Sequence, residues 1–107
     1  MTNIIEANNL EELQTAISNN SNVIIDVWAS WCGPCKMMLP MVSSIVTEDT
    51  TLTLVKVNAD EATDIAKQYN VRSLPTFIFV KDSKVVNTFI GSTTKTDFIQ
   101  KIQNAFS

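Results

Sequence analysis

The sequence predicts an α/β fold, a central mixed β-sheet flanked by helices on both faces. Helix-like and strand-like runs alternate along most of the chain. The run VIIDVWA at 23–29 is near-continuously apolar, as in a strand buried on both faces. Towards the C-terminus two β-rich runs follow each other across a short polar segment, which reads as antiparallel pairing.

Asn8 precedes LEELQTAIS, where Leu10, Leu13 and Ile17 recur at helical spacing, and Glu11 stands three residues after Asn8 as in a capping box. NNSN at 19–22 ends that helix and leads into VIIDVWA. After WCGPC, the run KMMLPMVSSIV at 36–46 is helical in pattern, with a kink expected at Pro40. TLTLVKVN at 51–58 is a second strand. Asp60 is placed to cap a short helix through Lys67, which Asn70 closes as a left-handed residue. PTFIFVK at 75–81 and VVNTFIG at 85–91, joined through KDSK, form the hairpin. Thr94, with Asp97 three residues on, opens a last amphipathic helix carrying Phe98, Ile99, Ile102 and Phe106.

The 107 residues make one domain, 1–107, large enough to build a core without disulfides or metal. A net charge of −3 gives no electrostatic footprint for nucleic acid or an anionic membrane surface. Scattered carboxylates (Glu6, Glu11, Glu12, Asp60, Glu61, Asp64) read as solvated faces and not as a metal cluster. MTNIIEANN carries no signal-peptide pattern, and no stretch approaches the length of a membrane span. A cytoplasmic monomer is therefore expected, in a compartment where thiols are kept reduced.

Cys32 and Cys35 are the only cysteines, with just Gly33 and Pro34 between them in WCGPC. As a staple the pair would close a four-residue loop, for which the chain-entropy estimate is about 2 kcal/mol, open to loss through strain. As a metal site it is incomplete, because zinc needs three or four ligands and the chain has no histidine. Only a dimer sharing two pairs would complete it. As a redox centre the placement is favourable. Cys32 follows a buried strand and opens a helix, where free N–H groups and the helix dipole stabilise a thiolate by up to ~2 kcal/mol, or ~1.5 pKa units. Pro34 suits an early helical position, and Cys35 lies one turn on, shielded beneath an exposed Cys32. Cys32 then attacks a partner disulfide and Cys35 resolves the mixed disulfide.

IDVWASWCGPCK, Pro40, VKVNAD, VRSLPTFIFVK and Gly91 together resemble the thioredoxin family over nearly the whole chain. A lowered pKa of the attacking thiol is already known for that family, so the size given above is no independent prediction. The resemblance implies a thioredoxin fold and a protein disulfide reductase with no bound cofactor beyond the Cys32–Cys35 disulfide. Its implied partners are an NADPH-dependent flavoprotein reductase and disulfide-containing client proteins. Asp26, inside VIIDVW, is either a buried carboxylate paired with Lys56 or a general base for Cys35. The resemblance assigns it the second role, with Lys56 as modulator. Pro75 reads as an ordinary strand-initiating proline. The resemblance instead implies a cis-proline against the cysteines, shaping a groove whose edge Thr76 continues. It also implies client docking at Gly33, Pro34, Ala59, Leu74, Ile90 and Gly91. Trp28 reads as core and Trp31 as a partly exposed apolar rim. Met37, Met38 and Met41 read as helix packing.

The chain departs from the family pattern at Val27, Asn70, Ser73 and Ser83. The turn positions Asn70 and Ser83, where glycine is common, should lower stability slightly, and Ser73, on the docking surface the resemblance implies, bears on client preference and not on reaction type. Two rivals remain: an oxidase or isomerase of the same fold, which normally carries an export signal, and a non-enzymatic binding module.

Overall fold

In the computed structural model, residues 3–107 are described; Met1 and Thr2, part of the opening stretch searched for a signal, lie outside the described residues. The elements are β1 (Ile4–Glu6), α1 (Leu10–Asn19), β2 (Asn22–Trp28), α2 (Gly33–Glu48), β3 (Thr53–Asn58), α3 (Thr63–Gln68), β4 (Thr76–Lys81), β5 (Lys84–Ile90) and α4 (Lys95–Phe106). They form one mixed sheet in the order β1-β3-β2-β4-β5. β1, β3 and β2 run parallel, while β4 and β5 are antiparallel to their neighbours.

Strand alternation divides the core in two. Val23, Ile25 and Val27 of β2 join Val55 and Val57 of β3 and Ile78 and Val80 of β4 against Leu13 and Ile17 of α1 and Ile65 of α3. Ile24, Leu54, Phe77 and Phe79 face the other way, onto Met38 and Val42 of α2 and Phe98 and Ile102 of α4. The mixed sheet with helices on both faces is thus as expected.

Local details depart from expectation where several residues compete for one job. The α1 cap is Asn9 and not Asn8: Asn9 Oδ1 accepts from the Glu12 N–H at 2.9 Å, and Glu12 Oε1 accepts from the Asn8 N–H at 2.8 Å. Both asparagines have a glutamate three residues on, so sequence alone does not choose. β1 had no sequence signal, being three residues long and half exposed. It is held beside β3, and Asn3 Nδ2 donates to the carbonyls of Val46 and Leu52 at 2.6 and 2.9 Å, binding the chain start to the end of α2. Residues 51–52 fall outside β3 because Asp49 Oδ1 takes the Thr51 N–H and hydroxyl in a turn. Asp60 does not cap α3, which starts from Ala62 without a side-chain bond.

Pro40 lies inside α2, which runs unbroken through it from Gly33 to Glu48. Other expectations hold: Asn70 is left-handed at φ 54°. Asp82 and Ser83, the two loop residues of the β4–β5 hairpin, have φ of 50° and 69°. Two successive positive-φ residues make the turn whose twist suits a two-residue hairpin. Thr94 Oγ1 accepts from the Asp97 N–H, capping α4.

Candidate active site

The sheet register gathers the site. Trp28, ending β2, lies opposite Asn58, ending the parallel β3, and the neighbouring Val27 lies opposite Thr76, which starts the antiparallel β4. Thr76 in turn lies opposite Ile90, the end of β5. Segments distant in sequence, around residues 29–33, 59, 74–76 and 90–91, therefore meet at one end of the sheet.

At that end Cys32 is the N-cap of α2. Its Sγ accepts from the Cys35 backbone N–H at 3.2 Å, and Pro34 occupies the first turn, where no N–H is needed. The cysteines are joined as a disulfide with Cα atoms 5.3 Å apart. Their relative exposures are 5% and 4%, which corrects the expectation of an exposed Cys32 above a shielded Cys35. The pair differs by position in the helix. Cys32 receives the free N–H and the positive end of a sixteen-residue helix, while Cys35 stands within its first turn.

Ala29, Trp28 and Leu74 pack on the pair. Trp31 is 69% exposed, and its indole N–H donates to Asp60 Oδ2 at 3.0 Å. Asp60 is thus the partner that holds this exposed ring, a role missed because adjoining loops, and no local motif, bring the two together. Met37 is 77% exposed, correcting its assignment to helix packing; Met38 is buried and Met41 packs on the α2–α4 core as expected. Gly33 has open space around the position of a Cβ, and Ile90 is exposed. The Ala59 N–H bonds the Trp28 carbonyl at 2.8 Å.

The Leu74–Pro75 bond is cis. The Pro75 carbonyl accepts from the Gly91 N–H at 2.9 Å, and Gly91 has φ +99°, a backbone that other residues rarely adopt. Thr76 does not continue an open edge. It lies between Val27 and Ile90 in an interior strand, is buried, and turns its hydroxyl to the Ser73 carbonyl.

Asp26 shares the sheet face of Trp28, which packs on the cysteines, so it lies inward of them under α2. It is 2% exposed, and burial pushes its carboxyl from 3.8 to about 7 against the downward pull of Lys56. Its Oδ1 is buried with no hydrogen-bond partner among the described residues. Lys56 stands opposite Asp26 in register, yet its ammonium pairs with Glu6 at 3.6 Å. Neither a paired Asp26 nor a merely solvated Glu6 describes this arrangement.

The family model described as Thioredoxin matches residues 4–104. A thioredoxin of Mycoplasma genitalium is 39% identical over 101 residues, 94% of this chain and 99% of that protein. The mitochondrial thioredoxin-3 of Saccharomyces cerevisiae is 38% identical over 91 residues, 85% of this chain and 72% of that protein. The crystal structure of that yeast protein in its oxidised form superposes with a TM-score of 0.87 at 36% identity, covering 94% of each chain. A thioredoxin mutant from Halobacterium salinarum gives 0.89 at 29% identity, covering 97% of this chain and 91% of that one. A helix-capping cysteine closed onto its neighbour one turn away supplies the dithiol–disulfide couple that these likenesses call for, with the redox group being part of the chain itself. On fold, match and cysteine geometry together, the chain belongs to the thioredoxin family, as a thiol–disulfide oxidoreductase that reduces client-protein disulfides through Cys32 and Cys35.

Proposed function

We propose that this protein is a monomeric, cytoplasmic electron carrier, recharged by an NADPH-dependent flavoprotein reductase, in which Cys32 attacks, Cys35 resolves and Asp26 accepts the proton. The observation that carries the assignment of Cys32 is its capping bond, Cys35 N–H to Cys32 Sγ. The same donor favours a thiolate on Cys32 once the disulfide is reduced.

The Cys32 thiolate attacks one sulfur of a client disulfide, and the other client sulfur leaves and takes up a proton. Cys35 then gives its thiol proton to the Asp26 carboxylate and attacks Cys32 Sγ. The Cys32–client bond breaks, the second client thiolate leaves, and Cys32–Cys35 closes. Two electrons have passed to the client. A carboxyl pushed up to about 7 is half ionised near neutrality, so it can take a proton and release it within one cycle. Lys56 modulates that balance through its charge.

The client's extended segment lies along the backbone at Ser73–Pro75, because Thr76 is already paired on both sides. Trp31, Gly33, Pro34, Ala59, Leu74, Ile90 and Gly91 surround it. A reducing compartment fits a protein that gives electrons away.

The test is the reduction potential of the Cys32–Cys35 pair, read by equilibration against glutathione. A value well below about −230 mV supports the reductase, and one near −180 mV or above replaces it with an oxidase or isomerase. Cys35→Ser should trap clients on Cys32 as mixed disulfides. A variant that traps none from a lysate argues for the binding module instead.

A further inference from the structure

Glu6, Lys56 and Asp26 stand in one row across three adjacent strands. Glu6 of β1 is opposite Lys56 of β3, and Lys56 is opposite Asp26 of β2. Partners in register on parallel strands point to the same side of the sheet, so the three side chains share a face. From the outside inward the row reads exposed carboxylate, half-buried ammonium, buried carboxylate. The single ammonium lies between two carboxylates, and its ion pair is with the outer one, at 3.6 Å. The inner carboxylate keeps an unpartnered Oδ1.

We propose that Glu6 is a positioning residue for the proton transfer: it holds the Lys56 ammonium on the solvent side of the row, away from Asp26, and so keeps Asp26 able to take the Cys35 proton. This rests on the reading of Asp26 as proton acceptor. Without Glu6, Lys56 has one carboxylate left in its row, and the strands already set it opposite that group. An ammonium drawn inward would stabilise the Asp26 carboxylate and weaken it as a base. A cleft of about 160 Å³ lined by Glu6, Lys56, Trp28, Asn58 and Glu61 opens beside the ion pair, giving the Lys56 side chain room to swing.

The groups facing Asp26 can be named element by element. β3 presents Lys56, with Glu6 of β1 beyond it and Glu61 among the residues lining the cleft beside the pair. α2 covers this face with Met38 and Val42, and its Cys35 packs on Trp28, two residues along the same strand face from Asp26. β4 presents the Phe77 ring opposite Asp26, and α4 covers that ring with Phe98 at 5.0 Å. Lys56 is the charged group whose pull on Asp26 is resolved, so Glu6 acts through it.

The sign is the same for both effects of Glu6. Its own negative charge and its hold on Lys56 each disfavour ionised Asp26, so removing it must lower the Asp26 midpoint. The size is bounded by an exposed ion pair of about 0.2–1 kcal/mol, a shift of roughly 0.2–0.7 pKa unit.

The experiment is a carbon NMR titration of the Asp26 carboxyl in the oxidised full chain, comparing Glu6→Gln with the unmodified protein. The expected result is a downward shift of about half a unit, most of which is lost when Glu6→Gln is placed in a Lys56→Ala background, leaving only the small direct effect of the Glu6 charge. An unchanged midpoint, or the same shift without Lys56, overturns the inference. Glu6→Asp, which keeps the charge, should restore most of the original midpoint. The pH profile of mixed-disulfide resolution is read alongside. It should move with the NMR midpoint in Glu6→Gln and lose its inflection in Asp26→Asn. If Asp26→Asn keeps the inflection, the proton-acceptor reading fails and the catalytic role of Glu6 fails with it, whatever the titration shows. If only the Glu6→Gln titration stays still, Glu6 alone is ruled out.

Discussion

One row of side chains crosses all five strands, and its two ends are built differently. From β1 it runs Glu6, Lys56, Asp26, then Phe77 on β4 and Phe89 on β5. The β5 end is aromatic. Phe77 and Phe89 stack with ring centroids 6.4 Å apart, Phe98 meets Phe77 edge-on, and the Lys101 ammonium lies 4.5 Å from the Phe89 centroid. The β1 end is ionic, with a buried carboxylate that has no full set of partners. The aromatic end stabilises the fold by burying rings. The ionic end destabilises it, since an isolated carboxylate in a core is worth removing on stability grounds alone. The two ends meet where Asp26 lies opposite Phe77, and burial at this junction is what pushes the Asp26 carboxyl up to about 7.

Breaking the aromatic end should give the largest effect. Phe98 is fully buried against Phe77 and Phe79, so Phe98→Ala removes a ring from both and leaves a cavity. A loss of about 3–5 kcal/mol is expected, measured by urea unfolding. A loss below 1 kcal/mol would show that the rings are not the main support of this face.

Breaking the ionic end should have the opposite sign. Asp26 has a folded midpoint of about 7 against 3.8 for a free carboxyl. The folded state therefore holds the proton more tightly. Its contribution to stability is full below pH 3.8 and is lost as the pH rises through about 7. Asp26→Asn cannot titrate, so its stability relative to the unmodified protein should climb by roughly 2–3 kcal/mol between pH 5 and pH 8.5. Equal pH dependence in the two proteins would mean that the Asp26 carboxyl is not held protonated by burial.

The two ends were also unequally legible in the sequence. PTFIFVK and VVNTFIG announce the aromatic strands through local composition, and the Thr94 cap and the positive φ of Asn70 follow from single residues. Asp26 stood out as a charge inside an apolar run. Glu6 did not, because its meaning depends on β1, three residues with no periodicity, reaching Lys56 fifty residues later. Adjoining loops likewise decide the Trp31–Asp60 bond, and two equivalent asparagines decide the α1 cap only in three dimensions. The exposure of Met37 was misread for a similar reason, since the spacing of a helix gives its faces but not which neighbours cover them. WCGPC was legible because capping, the helix start and the pair spacing all act within one turn.

The smallest effect sharpens the comparison by standing outside the row. Ser83 holds φ 69° at the second loop position of the hairpin, where glycine carries no steric penalty. Releasing that strain is worth about 1–2 kcal/mol, and the greater freedom of glycine in the unfolded chain takes back about 0.5–1 kcal/mol. Ser83→Gly should therefore stabilise the protein by roughly 0.5–1 kcal/mol at every pH, read by urea unfolding at pH 5 and pH 8.5. The uniformity is the point. A gain that is flat with pH shows that a change of backbone strain leaves the buried carboxylate untouched, and that the slope expected for Asp26→Asn belongs to proton binding at Asp26. A gain that varied with pH as steeply as in Asp26→Asn would place the pH-dependent stability elsewhere in the molecule.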